Sequence, residues 1–481
     1  MTPSTHAVRP TGRRLRRVTG TLVVLVLLAA AASYQFELGP RWFGFDYPSP
    51  VDEPAAVPPP RGLTLEPAED PVPVAAATEP ADANPRAVRR AVARLVRDPR
   101  LGPDVAVAVG QLSDGEVVYR DGDGRVIPAS TLKVLTTAAA VTALGEDHRF
   151  RTTVVAGTSP RRIVLVGGGD PLLARRPVPA GEEYPPRADV QTLARTTAKA
   201  LRGVGRSRVR LGYDATLFSG PAVSPDWKPS YLTDNVVSPI SPLWVDEGVD
   251  PDTDLRSADP AEAAAEVFAE ALERRGIQVV GRPRPEPAPT EPTELAAVES
   301  APLGQIVQHV LDVSDNEAAE VLLRHVGLAT GRPGSFSGGA AGVAETLAGL
   351  GVDVSGDRIL DGSGLARGNR LRPETLLDVF TRAAGPDGTA LRPVLTGLPV
   401  AGFTGSLTFR FETGAEQGLG SVRAKTGTLS GVHGLAGTVT TDDGVVLAFV
   451  AAADKVRTPD TLAARARLDQ VAAALAACTC A

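Results

Sequence analysis

Lysine is scarce in this chain. Five lysines (Lys133, Lys199, Lys228, Lys425 and Lys455) stand among 50 Lys+Arg residues in a sequence of 481. Arginine supplies the positive charge elsewhere, and its guanidinium does not deprotonate in proteins, whereas a buried lysine amine does. A position that keeps lysine therefore invites a chemical reason. No lysine follows a glycine, which excludes a Walker A phosphate loop. Only two cysteines occur, Cys478 and Cys480, both at the C-terminal end. That excludes a disulfide framework and a Cys/His zinc site, and leaves a tight ring between the two, a link between molecules, or an idle tail. Five histidines (His6, His148, His309, His325 and His433) contain no H-E-x-x-H pair. Ser363 lies in Gly-Ser-Gly rather than in a nucleophile elbow. The net charge of -6 gives no footprint for nucleic acid.

What is present begins at the N-terminus. Arg9, Arg13, Arg14, Arg16 and Arg17 make residues 1–17 basic and cytoplasmic, ahead of an uncharged apolar run at 18–34. Ala30, Ala31 and Ala32 offer a cleavage site. Tyr34, Phe36, Trp42, Phe43, Phe45 and Tyr47 resemble an interfacial aromatic belt, which favours an uncleaved anchor. Signal peptide and signal anchor both stay open. Either one places the bulk of the chain outside the cytoplasm, in the cell envelope, with the N-terminal segment as the contact to membrane. Residues 35–84, rich in Pro, Ala and acidic residues, read as an extended spacer.

From Pro85 the pattern becomes globular. An amphipathic helix is expected over Arg86–Asp98, with strands over Asp104–Leu112 and Glu116–Arg120. An apolar helix follows over Ala129–Leu144. Near the other end come strands at Ser421–Thr428, His433–Thr440 and Val445–Ala452, then a helix over Pro459–Ala477. Two strands from the front and three from the back predict a mixed α+β class, one antiparallel sheet covered by helices. That body takes residues 85–148 and 256–477. Residues 149–255, with strand-like runs and one helix, read as an insert, and 478–481 as a tail. The helices expected at Ala261–Arg275 and Pro302–Val313 return to the main body.

Three short motifs carry the chemistry. In Ser130-Thr131-Leu132-Lys133 the hydroxyl and the amine share one face at i and i+3 near a helix start. Serine is a poor nucleophile without a base, and lysine serves if burial and a neighbouring ammonium lower its pKa. Lys425 is the candidate neighbour. Ser314-Asp315-Asn316 sits between two expected helices and also suits a helix cap. Lys425-Thr426-Gly427-Thr428 lies in a strand, where free amides suit a bound peptide and Gly427 allows close approach. His433 reads as a packed strand residue.

In this order the motifs resemble S-x-x-K, S-D-N and K-T-G of the serine penicillin-recognising enzymes. The long insert points to one branch, the D-alanyl-D-alanine carboxypeptidase/endopeptidases of peptidase family S13, the low-molecular-mass class C penicillin-binding proteins. Gly167–Leu173, Asp361–Leu365 with Asn369, and Gly405-Ser406-Leu407 are also similar to that family. The resemblance implies a β-lactamase/transpeptidase-like catalytic domain and a peptidoglycan stem peptide as substrate. It implies Ser130 as nucleophile, Lys133 as base, and Ser314 as proton relay with Lys425. Asn316, Lys425, Thr426, Gly427 and Thr428 would hold the substrate, and the amides of Ser130 and Thr428 would form an oxyanion hole. β-Lactams are the implied acylating inhibitors, with no metal or cofactor required. A β-lactamase, or a non-catalytic wall-binding or β-lactam-sensing protein, are the competing readings.

Overall fold

Strict alternation along five strands lets one sheet bury both faces. The computed structural model describes residues 82–481 apart from Asp123 and Ala180. The expectations for 1–17, 18–34 and nearly all of 35–84 lie outside the described residues. The strands are β1 (Asp104–Gln111), β2 (Val117–Asp121), β9 (Val422–Leu429), β10 (Val432–Thr440) and β11 (Val446–Asp454). They form a five-stranded sheet in the order β2-β1-β11-β10-β9, antiparallel throughout. Val107, Val109, Leu447, Phe449, Leu435 and Val439 enter the core on one face. Ala108, Ala448, Val450 and Ala436 enter the core on the other.

The first face is closed by the two ends of the described chain. Helix α1 (Pro85–Val92) is started by Asn84, whose side chain accepts from the amides of Arg86 and Ala87. It stops at Val92, short of the expected Asp98. Asp98 precedes proline and caps the following turn instead, accepting from Arg100 N. The C-terminal helix, Thr461–Ala476, lies against β10 and α1. Cys478 and Cys480 are bridged to each other and buried, and Asn84 N donates to Cys480 O at 2.6 Å. The tail is thus pinned beside α1.

The second face carries helices around α2 (Lys133–Leu144), in which every residue from Lys133 to Val141 is buried. A helix apolar on all sides belongs at the centre of a layer. Its neighbours are Leu303–Asp312, Asn316–Ala329, Phe336–Gly349 and Pro373–Ala384.

A second sheet has the order β6-β5-β4-β3-β8, with β7 also pairing with β5. It is built from β3 (Arg151–Ala156), β4 (Arg162–Val166), β5 (Arg208–Asp214), β6 (Gln278–Val279), β7 (Arg284–Pro285) and β8 (Glu294–Glu299). The helices Val190–Gly203 and Pro260–Glu273 share its core. The helix expected to return to the main body at Ala261–Arg275 therefore packs here. The sheet runs on to Glu299, where Val298 pairs with Thr152. Glu-Leu-Ala-Ala-Val-Glu shows little strand signature, and only its partner β3 selects the extended form. Among the described residues no helix is long and apolar enough to cross a membrane.

Candidate active site

The first motif straddles a change of helix type. Ala129–Leu132 form a 3₁₀ turn and Lys133 opens α2, so Ser130 sits one turn before the α-helix. Ala129 holds φ 46°, a left-handed conformation that strains a residue with a Cβ. The i, i+3 relation brings Lys133 Nζ to 3.0 Å from Ser130 Oγ. Nζ also lies 2.8 Å from Asn316 Oδ1 and 2.9 Å from the Ser363 carbonyl. Those two partners only accept, so the amine donates to both whatever its charge. As an ammonium, its third proton faces Ser130; as a neutral amine, its lone pair does. The second form can take the serine proton.

Burial sets which form is accessible. Lys133 is fully buried, and desolvation pushes its amine down to about 8, against the opposing pull of Asp315, Glu320, Asp361 and Glu317. Lys425 is also fully buried. Burial, and then the charge of Lys133, hold its amine well below the ordinary lysine range, with Asp312 opposing. Burial is the first cause of the depression in both amines.

The second motif joins the helices Leu303–Asp312 and Asn316–Ala329. Ser314 has φ 66°, a second left-handed residue with a Cβ. Asp315 caps the later helix by accepting from Ala318 N at 2.8 Å, and faces His309 Nε2 at 3.4 Å. Asn316 donates from Nδ2 to the Val236 carbonyl at 2.9 Å while holding Lys133. Its amide therefore links the base to the Val236 segment.

The third motif lies on β9, the edge strand. Ala424 N donates to Pro399 O and Ala401 N donates to Val422 O, so even-numbered residues point their backbone groups off the sheet edge. By the strand period, the amides of Thr426 and Thr428 face that same edge beyond the covered part. Thr426 Oγ1 donates to Ser406 Oγ at 3.0 Å, and Thr428 is exposed. Lys425 Nζ lies beneath the strand, 3.2 Å from the Thr426 carbonyl. Gly427 is not free for a ligand as the sequence suggested. A Cβ there would lie 2.6 Å from Pro128 O and 3.2 Å from Thr131 Cγ2. The glycine lets the Ser130 turn rest on the strand. His433 packs beneath the C-terminal helix, on the opposite face, with Arg465 and Arg410 nearby.

Glu320 escaped the sequence reading, and Asp361 entered it only within a family-like segment, without a role. Glu320 is fully buried and accepts from Gly362 N at 2.9 Å and Ser363 N at 2.8 Å. Burial, reinforced by Asp361, pushes its carboxyl up to about 8. Asp361, also fully buried, accepts from Trp227 Nε1, Asn369 Nδ2, Gly364 N and Ala366 N. Between them the loop passes so near the Ser130 turn that a Cβ on Gly364 would meet Ala129 O at 1.8 Å. Glu320 carried little signal, because the helix Asn316–Ala329 also holds Glu317, Arg324 and His325. For metal, the donor atoms of Glu247, His309 and Asp315 lie within 4.8 Å of one another. Asp315 is already committed to its cap, and Arg187 and Arg256 act on Glu247. Two cavities of about 730 Å³ lie away from the three motifs, one lined by Arg97, Arg125 and Lys455, the other by Phe336 and Leu360. The site itself lies along the edge strand β9.

The chain matches the model of the D-Ala-D-Ala carboxypeptidase 3 (S13) family over residues 88–253 and 251–475. It is 37% identical over 404 residues to a carboxypeptidase of Mycobacterium tuberculosis, covering 82% of this chain and 85% of that protein. It is 35% identical over 495 residues to the carboxypeptidase DacB of Mycolicibacterium smegmatis, covering 98% and 100%. The crystal structure of penicillin binding protein 4 from Haemophilus influenzae has the same fold. Its TM-score is 0.66 at 22% identity, over 79% of this chain and 97% of that one. With matched segments spanning the site and both sheets, this chain belongs to the D-Ala-D-Ala carboxypeptidase 3 (S13) family.

Proposed function

We propose that the protein is an exported serine-type D-alanyl-D-alanine carboxypeptidase that cleaves peptidoglycan stem peptides through an acyl-enzyme on Ser130. The observation that carries this is the 3.0 Å contact between Ser130 Oγ and a fully buried amine whose other partners only accept. Neutral Lys133 takes the serine proton as Oγ attacks the carbonyl between two D-alanines. Ser314, assisted by Lys425, relays a proton to the leaving amine. The exposed Thr428 and its neighbour Thr426 bind the terminal carboxylate, with the peptide laid along the open edge of β9. The amides of Ser130 and Thr428 receive the oxyanion, an arrangement in which one donor is typically worth about 2.7–4 kcal/mol. Asn316 holds the substrate backbone after releasing Val236. Water then hydrolyses the ester, and the open edge of β9 also suits the cross-linked peptides of an endopeptidase.

β-Lactams acylate the same serine under this reading. Export follows from the arginines ahead of the apolar run at 18–34, and the aromatic residues behind it favour an uncleaved anchor to the membrane. The test is intact mass of the protein mixed with benzylpenicillin. The expected result is a lasting single adduct on Ser130, absent from Ser130→Ala. Rapid loss of penicillin without adduct would point to a β-lactamase, and neither adduct nor turnover would point to a binding protein.

A further inference from the structure

We propose that Glu320 is a positioning residue for the Ser130–Lys133 pair, fixing the Ser363 carbonyl against the lysine amine. The proposal rests on the reading of Lys133 as the base.

Asn316 and Glu320 are four residues apart on one helix and so share a face. Asn316 reaches Lys133 directly; Glu320 reaches it through the loop. Its two oxygens take the adjacent amides of Gly362 and Ser363, one each. Both carbonyls of that pair then turn to α2: Gly362 O accepts from Thr136 Oγ1 at 2.8 Å and Ser363 O from Lys133 Nζ at 2.9 Å. Asp361 secures the loop from its other side. A shift of this peptide would withdraw one of the two acceptors that aim Nζ at Ser130. Misplacements of about 1 Å near reacting groups cost up to about 10²-fold in rate.

The neighbouring acids are held by other partners. Asp315 is engaged by its cap and by His309. Glu317 is paired with Arg256 at 2.7 Å. Asp361 accepts from four donors, of which Gly364 N and Ala366 N lie beyond the Gly362–Ser363 peptide. Glu320 alone among these acids grips the two amides that orient the Ser363 carbonyl.

The test measures the rate of benzylpenicillin adduct formation in the full-length chain from about pH 6 to 10 for the parent, Glu320→Gln, Glu320→Asp and Ser130→Ala, with thermal unfolding alongside. Glu320→Gln can accept from only one of the two amides, so the Ser363 carbonyl withdraws from Nζ; the ammonium loses an acceptor, the acid limb moves to lower pH and the plateau falls roughly 10–100-fold. Glu320→Asp loses reach to the same amides, so its plateau and limb move in the same sense. A Glu320→Gln rate within about twofold of the parent, or a slower one with the limb unmoved, overturns the proposal. If Glu320→Gln does not fold, an unchanged plateau in Glu320→Asp overturns it. An adduct that persists in Ser130→Ala sinks the underlying reading instead.

Discussion

Gly427 and Pro128 touch, backbone against backbone, so closely that a Cβ on the glycine would stand 2.6 Å from the proline carbonyl. The contact seats the turn bearing Ser130 on the strand bearing Lys425. Gly427→Ala is expected to destabilise by about 1–3 kcal/mol, as overpacking does, and to slow acylation by parting turn and strand. Urea unfolding and the adduct rate check this together. An alanine variant unchanged in both would mean that the turn does not rest on the strand here.

Lys133 sets a pH dependence. Its active form is the neutral amine, and burial brings its pKa down to about 8. Acylation should therefore be slow below that value, rise through it and level off above. A flat rate across that range would remove Lys133 from the base role.

Lys133→Arg keeps the positive charge but cannot lose its proton. The acylation rate should fall by about 10²–10⁴-fold, the usual contribution of a positioned base. Intact-mass kinetics at alkaline pH provide the reading. An arginine variant as fast as the parent would show that charge, not proton transfer, matters.

Arg410 and Asp469 form a buried pair behind the sheet, with Nε 2.8 Å from Oδ2. Asp469→Ala leaves the guanidinium buried without its partner. A loss of about 3–5 kcal/mol is expected in denaturant titration, with the adduct rate per folded molecule preserved. A loss below about 1 kcal/mol would mean that water reaches Arg410.

The Cys478–Cys480 bridge closes a very short loop. Chain entropy gives such a ring only about 1–2 kcal/mol. Reduction should add two hydrogens to the intact mass and lower the unfolding midpoint slightly, because the tail is also held by Asn84. A disulfide-linked dimer on a non-reducing gel would contradict the pairing.

The limits of the sequence reading are visible at single residues. β1, β2, β9, β10 and β11 were legible because burial on two faces leaves short apolar runs bounded by turn residues. β8 was not, since Glu294–Glu299 becomes a strand only beside β3. Ser130 and Lys133 were legible as a pair because i and i+3 meet on any helix or helical turn. Glu320 was not, because its partners arrive from a distant loop.

The chemistry-bearing motifs, their order and the main sheet can be read from the chain, since these depend on spacing within one segment. That Lys133 meets Asn316 and Ser363, that Gly427 serves the turn, and that burial brings an amine toward neutrality came only with folding. Desolvation and close approach belong to a residue's surroundings, and here those surroundings are assembled from segments far apart along the chain.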